Sequence, residues 1–334
     1  MNIEDIARKS GVSRSTVSRV LNGEPYVNEK TRARVLEVIA AEGYSPNPAA
    51  RALATQRTQI VGVVIPREFD VVFEDPHYFP TLLNGVSGEV DQRDYTMLVW
   101  MGQKHMETER FYQRIAKNRL MDGVIIASAS RDEPLILHLA QGKTHFVMVE
   151  RPGIMTDEVS YVTVDNVRGG QVAVAHLAQR GRRRIGTVTG LLNNPDAHDR
   201  LIGYRQALET AGLPFDPQLV VEGQFHRKMA YGAAQTLIER GVDAIFAAND
   251  TMALGVLDAL RDAGRRVPAD VAVVGFDDLP AALYANPPLT TMHQPIQYKG
   301  QIAAQLLLDL IEGHASSPQH IVLETTLVVR ESSG

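Results

Sequence analysis

The chain has 334 residues, 44% of them hydrophobic and 22% charged, the composition of a folded globular protein long enough for two or three domains. It has no cysteine, which excludes disulfides, thiolate metal sites and cysteine nucleophiles. The formal net charge is −5, but residues 1–57 carry 9 Lys and Arg against 6 Asp and Glu, whereas the remainder carries 25 against 33. A mildly basic N-terminal segment on an acidic body fits a nucleic-acid-binding head and also an ordinary solvated surface.

No apolar stretch approaches the roughly 20 residues that a membrane-spanning helix needs. The N-terminus also lacks the basic and apolar regions of a signal peptide. We therefore expect no contact with a membrane and a cytoplasmic location.

Two short helices are predicted at the start of the chain. The first begins at Ile3 and ends before Gly11, since glycine suits the left-handed turn that closes a helix. Ser13 is a good N-cap for the second helix, 14–21. Two short helices joined by a tight turn with a glycine predict a helix-turn-helix.

The second helix has one apolar and one polar face. Its apolar residues at i, i+3 and i+4 are Val17, Val20 and Leu21. The residues that lie away from this face, and that can reach bases and phosphates, are Arg14, Ser15, Ser18 and Arg19. Each arginine alone fits a solvated surface equally well.

A third helix is predicted from Asn28 to Glu42, which would complete a three-helix core. The apolar stripe expected on it consists of Val35, Leu36, Val38 and Ile39. A short alanine-rich stretch, 47–54, follows, with Asn47 as a possible cap and Pro48 in the first turn. It is shorter than the roughly 12–15 residues that make an isolated helix stable. It is therefore either a linker helix packed on its own domain or a segment that folds only on a partner.

From Ile60 onward, short apolar runs alternate with amphipathic ones, which indicates doubly wound parallel sheets. The predicted strands are 60–65, 96–99, 123–127, 146–149, 185–188, 219–221, 244–247 and 271–274. Predicted helices include 167–180, 200–211, 230–240 and 252–263. The eight units are enough for two sheets, with a break near Tyr161–Asp165. We expect two similar lobes around a cleft, with a ligand near the carboxyl ends of the strands.

Several polar side chains directly follow predicted strands and are candidates for this cleft. They are Glu150, Asp165, Asn249 with Asp250, and Asp277 with Asp278. Helix N-caps occupy the same places, and for Asp250 and Asp278 capping is the favoured interpretation.

Common enzyme signatures are missing from the sequence. It has no G-x-G-x-x-G after a strand, no P-loop lysine motif and no H-E-x-x-H pair among its ten histidines. We therefore expect no catalytic residues, no metal and no cofactor. Two alternatives stay open: a sugar-binding transport receptor, and a sugar-modifying enzyme that uses Asp277 or Glu150 as an acid-base pair.

The run Ile3-Glu-Asp-Ile-Ala-Arg-Lys-Ser-Gly-Val-Ser-Arg-Ser-Thr-Val-Ser-Arg-Val-Leu-Asn-Gly23, with Val27-Asn-Glu-Lys-Thr-Arg32 and Gly43-Tyr-Ser-Pro-Asn47, resembles the head of the lactose-repressor (LacI/GalR) family. The resemblance continues through most of the chain. It implies a sequence-specific DNA-binding transcriptional regulator, and more narrowly a repressor. Its operator affinity would be controlled allosterically by a small molecule, a sugar or sugar derivative, bound between the two lobes. The implied partners are a two-fold symmetric operator and a second copy of the chain.

The resemblance also implies domain limits and site residues. The head is 1–46, the hinge helix and linker 47–59, and the effector-binding and dimerisation domain 60–334. Lobe 1 takes about 60–163 and 295–321, and lobe 2 about 164–294 and 322–334. The implied DNA-binding residues are Ser13, Arg14, Ser15, Thr16, Ser18, Arg19, Asn22, Tyr26, Asn47, Ala50 and Leu53, with Leu53 wedged into a base step of the minor groove. The implied effector-binding residues are Phe79, Glu150, Asp165, Arg200, Phe225, Asn249, Asp277 and Gln294.

The chain departs from the family pattern after its first strand. Where many relatives have a short Asn-Pro-Phe-Phe-type loop, it has the longer segment 67–80. The aromatic group of this segment, which we expect to reshape the cleft, is Phe73, His77, Tyr78 and Phe79.

Overall fold

The computed structural model describes residues 1–21, 23–44, 52, 57–68, 77–102, 108–116, 120–142 and 144–334. These residues form two compact units, Met1–Gln59 and Ile60–Gly334. No helix in the described ranges is both long and apolar enough to cross a membrane.

The first unit contains the three predicted helices, α1 (Ile3–Ser10), α2 (Arg14–Leu21) and α3 (Glu29–Glu42). The side chain of Asn2 caps α1 in a capping box with Asp5. Gly11 and Gly43 end α1 and α3 in the left-handed conformation, with φ of 65° and 58°. The small core between the helices is formed by Ile6, Ala7, Val17, Val20 and Val35. The three-helix head predicted from the sequence is therefore confirmed.

One residue of the predicted apolar stripe on α3 lies outside the core. Leu36 is 47% exposed, whereas Val35 is fully buried and Val38 and Ile39 pack against it. Val35, Val38 and Ile39 occupy positions i, i+3 and i+4 and face the core. Leu36 follows Val35 by one residue, which turns its side chain about 100° around the helix axis.

The second unit contains two sheets. Among the described residues the first sheet has six parallel strands in the order β11-β5-β4-β3-β1-β2. In chain order they are β1 (Ile60–Glu68), β2 (Thr96–Gly102), β3 (Gly123–Ala127), β4 (His145–Val149), β5 (Tyr161–Val164) and β11 (His320–Leu323). Its helices are α4 (Tyr78–Gln92), α5 (Thr108–Ala116), α6 (Pro134–Ala140) and α12 (Ile296–Glu312).

The second sheet, over the same described ranges, has the order β12-β10-β9-β8-β6-β7, with β12 as an antiparallel edge strand. Its strands are β6 (Ile185–Thr189), β7 (Val220–Glu222), β8 (Ala244–Ala247), β9 (Ala272–Asp277), β10 (Thr290–His293) and β12 (Thr326–Val328). Its helices are α7 (Asn166–Gln179), α8 (Pro195–Thr210), α9 (Arg227–Glu239), α10 (Asp250–Asp262) and α11 (Pro280–Leu283). Short 3-10 turns occur at Pro217–Leu219 and Glu331–Ser333.

Both sheets are covered by helices on both faces. In β3, Ile125 belongs to the core shared with α4 and α12, whereas Val124 and Ile126 belong to the core shared with α5 and α6. In β8, Ile245 and Phe246 likewise belong to different cores, one with α9 and α10 and one with α7 and α8. Side chains alternate between the faces of a strand, so continuous apolar runs bury both faces. The predicted class, an α/β body with two doubly wound, mainly parallel sheets, is confirmed.

The chain passes between the sheets at three places: at Asp165, at Gln294 and Pro295, and at 324–325. The third passage comes after Leu323 and not after residue 321, because Val322 and Leu323 still pair with β5. All eight predicted strands are present with small shifts at their ends. The strands that were not predicted are β10, β11 and β12, of three or four residues each, while β5 was recognised only as the apolar run before Asp165.

Candidate functional site

The polar surface of α2 in the first unit is built around Ser13. Its hydroxyl accepts the backbone N–H of Thr16 at 3.2 Å and lies 2.8 Å and 2.9 Å from the hydroxyls of Ser15 and Thr16. This is the N-cap expected from the sequence, and it holds the hydroxyl groups together at the start of the helix. Such a helix start is well suited to contacts with phosphates and base edges.

The two arginines of α2 are exposed and lie near acidic side chains. Arg14 is 3.8 Å from Glu4, and Arg19 is 3.7 Å from Glu24. Pairs this long and this exposed contribute little to stability, so DNA can replace them. Ser15 and Tyr26 are also exposed, while Thr16 and Ser18 are partly buried. Four of the implied DNA contacts lie outside the described residues: Asn22, Asn47, Ala50 and Leu53.

The second unit has a cavity at the carboxyl ends of the strands, between the two sheets. Polar groups and aromatic rings line it together, as is usual for small-molecule sites. The first lobe contributes Tyr78, Phe79, Ser128 and Glu150. The second lobe contributes Asn194, Asp196, Arg200, Phe225, Asn249 and Asp277.

Four cavity residues have backbone conformations that side chains other than glycine rarely adopt. Ser128, Glu150, Phe225 and Asp277 have φ of 59°, 107°, 62° and 112°. Such strain costs about 1–3 kcal/mol per residue and persists where the surrounding fold imposes it, typically at binding sites. Ser128 and Glu150 directly follow β3 and β4, and Asp277 is the last residue of β9. Phe225 lies in the loop between β7 and α9.

Arg200 of α8 is the buried cation of the cavity. Its Nε donates to Asn166 Oδ1 at 2.9 Å, its Nη1 donates to the carbonyl oxygen of Ala248, and its guanidinium lies 3.7 Å from the centre of the Phe276 ring. It lies within 3.8 Å of Asp196 and 3.7 Å of Asp277. Because it is held by bonds and by stacking, its position does not depend on a ligand.

A second buried cation, Lys299, lies behind the cavity wall. Its ammonium donates to the Tyr78 hydroxyl and to Gln294 Oε1, both at 2.9 Å. The Gln294 amide in turn donates to Asp277 Oδ1. Burial lowers the pKa of Lys299, and the charges of Asp196 and Glu150 oppose that shift. This network ties α12 and α4 of the first lobe to the end of β9 in the second.

Burial also raises the pKa of two other members of the site. It raises the pKa of the Tyr78 phenol far above its usual range, and the charges of Glu150 and Asp196 add to the shift. Tyr78 therefore stays neutral and accepts the ammonium bond. Burial likewise raises the pKa of Asp196, against the opposing charges of Lys299 and Arg200.

Polar contacts close one side of the cavity between the lobes. Asn194 donates to Glu150 Oε2 at 2.9 Å, and its own Oδ1 caps α8. Arg151 of the first lobe forms a 2.7 Å salt bridge with Asp199 of the second. Asn193 donates to Asp132 at 3.0 Å. These contacts break and re-form if the lobes rotate.

The structure places six of the eight implied effector residues on the cavity wall: Phe79, Glu150, Arg200, Phe225, Asn249 and Asp277. The other two lie at the lobe crossings. Asp165 is exposed and caps α7 by accepting the backbone N–H of Arg168 at 2.9 Å, so it is not part of the wall. Gln294 lies behind the wall, bonded to Asp277 and Lys299.

The capping roles expected for Asp250 and Asp278 are wrong. Asn249 caps α10, and the fully buried Asp250 instead accepts Thr291 Oγ1 at 2.6 Å and the N–H of Leu279 at 2.8 Å. Asp278 pairs with Arg330 at 2.7 Å. Both carboxylates are bound by segments distant in sequence, which local patterns do not reveal.

Sequence reasoning did not assign Ser128, Asn194, Asp196 and Lys299 to the site. Asn194 and Asp196 had a detectable signal. Asn194-Pro195 marks a helix start six residues after the predicted strand 185–188, and Asp196 lies four residues before Arg200. Lys299 had none, because a lysine in an amphipathic helix is ordinarily exposed. In the aromatic segment, Tyr78 joins Phe79 on the wall, His77 does not, and Phe73 lies outside the described residues.

Comparison with known proteins assigns both units. Residues 2–47 match the profile "Bacterial regulatory proteins, lacI family", and residues 174–333 match "Periplasmic binding protein-like domain". The HTH-type transcriptional regulator CelR of Thermobifida fusca is 41% identical over 99% of this chain and 97% of its own length. The chain belongs to the LacI family.

Solved structures of LacI-family proteins extend this similarity to the fold. A CelR–cellobiose complex superimposes with a TM-score of 0.79 at 39% identity, covering 99% of both chains. The lac repressor dimer bound to operator and the anti-inducer ONPF superimposes with a TM-score of 0.86 at 27% identity, covering 100% of this chain and 99% of the other. This LacI-family chain is thus a DNA-binding transcriptional regulator with a helix-turn-helix head and a small-molecule domain.

Proposed function

We propose that the chain is a transcriptional repressor that binds a two-fold symmetric operator as a homodimer and is controlled by a sugar in the cavity between its lobes. The observation that carries the proposal is the wall of that cavity. Carboxylate, amide and guanidinium groups from both lobes surround it beside Phe79 and Phe225. Paired hydroxyls of a sugar donate and accept together, and aromatic rings cover its apolar face. The cellobiose bound by the CelR relative supports a glucoside-type effector.

A ligand in this cavity touches both lobes and therefore favours one lobe orientation over another. Glu150 and Asn194, from different lobes, already bond across the gap. A sugar that bonds to both would shift the balance between orientations by no more than its differential affinity for them. By analogy with its family, the chain would transmit that shift through 47–59 to the heads on the DNA.

The test uses the full-length protein and an operator selected by the protein itself from a random duplex library. Cellobiose, glucose and other neutral sugars are screened for an increase in melting temperature, and each hit is then tested for its effect on operator affinity. We expect at least one sugar to do both. A ligand that stabilises the protein but leaves operator binding unchanged would indicate a receptor, and one that is chemically altered would indicate an enzyme. The proposal predicts binding without turnover, in the cytoplasm.

Base reading by α2 predicts a selective effect of Arg14→Ala. Loss of an arginine contact to a base should cost about 1–3 kcal/mol of discrimination. The matched control is Arg34→Ala, which removes the same charge from the exposed surface of α3. Competition binding with operator and scrambled DNA should show a smaller operator preference for Arg14→Ala alone. An equal loss of preference in both variants would contradict base reading by Arg14.

A further inference from the structure

One carboxylate oxygen on the cavity wall has no hydrogen bond to any described residue. Asp196 is 4% exposed, and its Oδ1 is buried without a protein partner. Its Oδ2 lies 3.8 Å from Arg200. A buried acceptor that lacks a donor is costly, and a ligand hydroxyl that donates to it would remove that cost. A ligand in the cavity is therefore expected to place a hydrogen-bond donor next to Asp196 Oδ1.

The two cations near Asp196, Arg200 and Lys299, already form hydrogen bonds with other protein groups. Arg200 donates to Asn166 and Ala248 and lies close to two carboxylates. Lys299 donates to Tyr78 and Gln294 and is not part of the cavity wall. Lys299 is therefore turned away from the ligand space, and the charge of Arg200 is already balanced by the carboxylates of Asp196 and Asp277.

The net negative charge of the cavity wall also favours an uncharged ligand. Glu150, Asp196 and Asp277 line the cavity, and Arg200 is the cation among the lining residues. Even when Lys299 is included, three carboxylates face two cations. A phosphate or carboxylate on the ligand would add a further negative charge in a region that is screened little by solvent.

We propose that the effector is an uncharged sugar that donates a hydroxyl to Asp196 Oδ1, and that this site rejects phosphorylated and carboxylate-bearing sugars. The inference rests on the proposed function and narrows its ligand class. Asp196 is the specificity-determining residue, since its free acceptor takes a hydroxyl and its charge repels an anion. Repulsion between like charges at a binding site should lower the affinity for the anionic sugar roughly 100-fold or more.

The experiment measures calorimetric affinities for matched pairs: cellobiose and cellobiose 6-phosphate, and glucose and glucose 6-phosphate. Glucuronic acid is added as a carboxylate. For the unmodified protein we expect the neutral member of a pair to bind at least about 100-fold more tightly. Asp196→Asn keeps the shape of the side chain and removes its charge. It should lower the affinity for the neutral sugar about 10-fold, as expected for the loss of a charge-assisted hydrogen bond. The ratio of the affinities for the neutral and the anionic sugar should fall at least about 10-fold.

Glu209→Gln is the matched control. It likewise replaces a carboxylate by its amide on α8, at an exposed position that does not line the cavity. We expect it to keep the preference for neutral sugars. A parallel loss of affinity for neutral and anionic sugars in Asp196→Asn would reduce Asp196 to a structural role and overturn the assignment. Melting temperatures without ligand show whether each variant is folded.

The same titrations separate this inference from the proposed function. An anionic sugar that binds as tightly as its neutral partner and changes operator affinity would overturn the charge preference and leave the proposed function intact. A protein that binds none of these sugars, with operator affinity unaffected by all of them, would overturn both.

Discussion

Lys299→Met is expected to lower the free energy of unfolding of the second unit by about 3–5 kcal/mol, because removing one partner of a buried charge network leaves the others uncompensated. The Lys299 ammonium has no exposed surface and donates to Tyr78 and Gln294. Methionine has a similar volume, so packing is largely preserved and the loss reports the charge and its hydrogen bonds. Affinity for the effector should fall as well, since the Gln294 amide that bonds Asp277 loses its anchor.

Urea unfolding provides the measurement. The single tryptophan, Trp100 in β2, reports on the first lobe, to which α12 belongs. Lys228→Met, at an exposed position of α9, makes the same chemical change and should alter stability by no more than about 0.5 kcal/mol. Asp196→Asn combined with Lys299→Met should recover part of the loss, with a coupling of about 0.5–3 kcal/mol. A loss below about 1 kcal/mol for Lys299→Met would mean that its charge is not needed in the network.

Gly203→Ala is expected to destabilise the second lobe by about 1–3 kcal/mol or more, because α7 and α8 cross where neither backbone can yield to a side chain. A Cβ at Gly203 would lie 2.1 Å from the carbonyl oxygen of Val167 and 2.7 Å from the backbone nitrogen of Gln171. From the other helix, a Cβ at Gly170 would lie 2.5 Å from the carbonyl oxygen of Arg200. The forced separation would also move Arg200 and Asp196 on α8, so effector affinity should fall together with stability.

Gly232→Ala on α9 is the matched comparison, since a Cβ there meets nothing within 4 Å. At this exposed position in a helix, alanine should stabilise by about 0.5–1 kcal/mol. Thermal unfolding followed by circular dichroism should therefore shift in opposite directions for the two glycines. A similar increase in melting temperature for both would contradict the close crossing of α7 and α8.

The head was predictable in detail because its signals are local. The caps at Gly11 and Ser13 and the i, i+3, i+4 spacing of Val17, Val20 and Leu21 lie within a few residues of the structure they specify. The exception, Leu36, shows the limit of such reasoning. Leu36 is apolar and follows the buried Val35, so its residue type alone predicts a core position. The helical geometry nevertheless places its side chain at the surface.

In the body, the pattern of strands and helices and the placement of polar residues after strands were also predictable. The carboxyl ends of parallel strands meet at one edge, so Glu150, Asn249 and Asp277 converge wherever the sheets form. Asp165 also follows a strand, but it caps the helix that begins at the lobe crossing and does not line the cavity.

The sequence by itself determined the fold class, the helix-turn-helix head and the family, because these depend on periodicity, caps and motifs that lie close together in the chain. Only the tertiary structure decided that Asp196 keeps a free acceptor on the cavity wall while Asp250 is bound internally, and that Lys299 is buried among carboxylates. Those facts depend on partners up to 221 residues apart, as for Lys299 and Tyr78. Whether a charge is paired, orphaned or buried is settled only when packing brings such distant segments together.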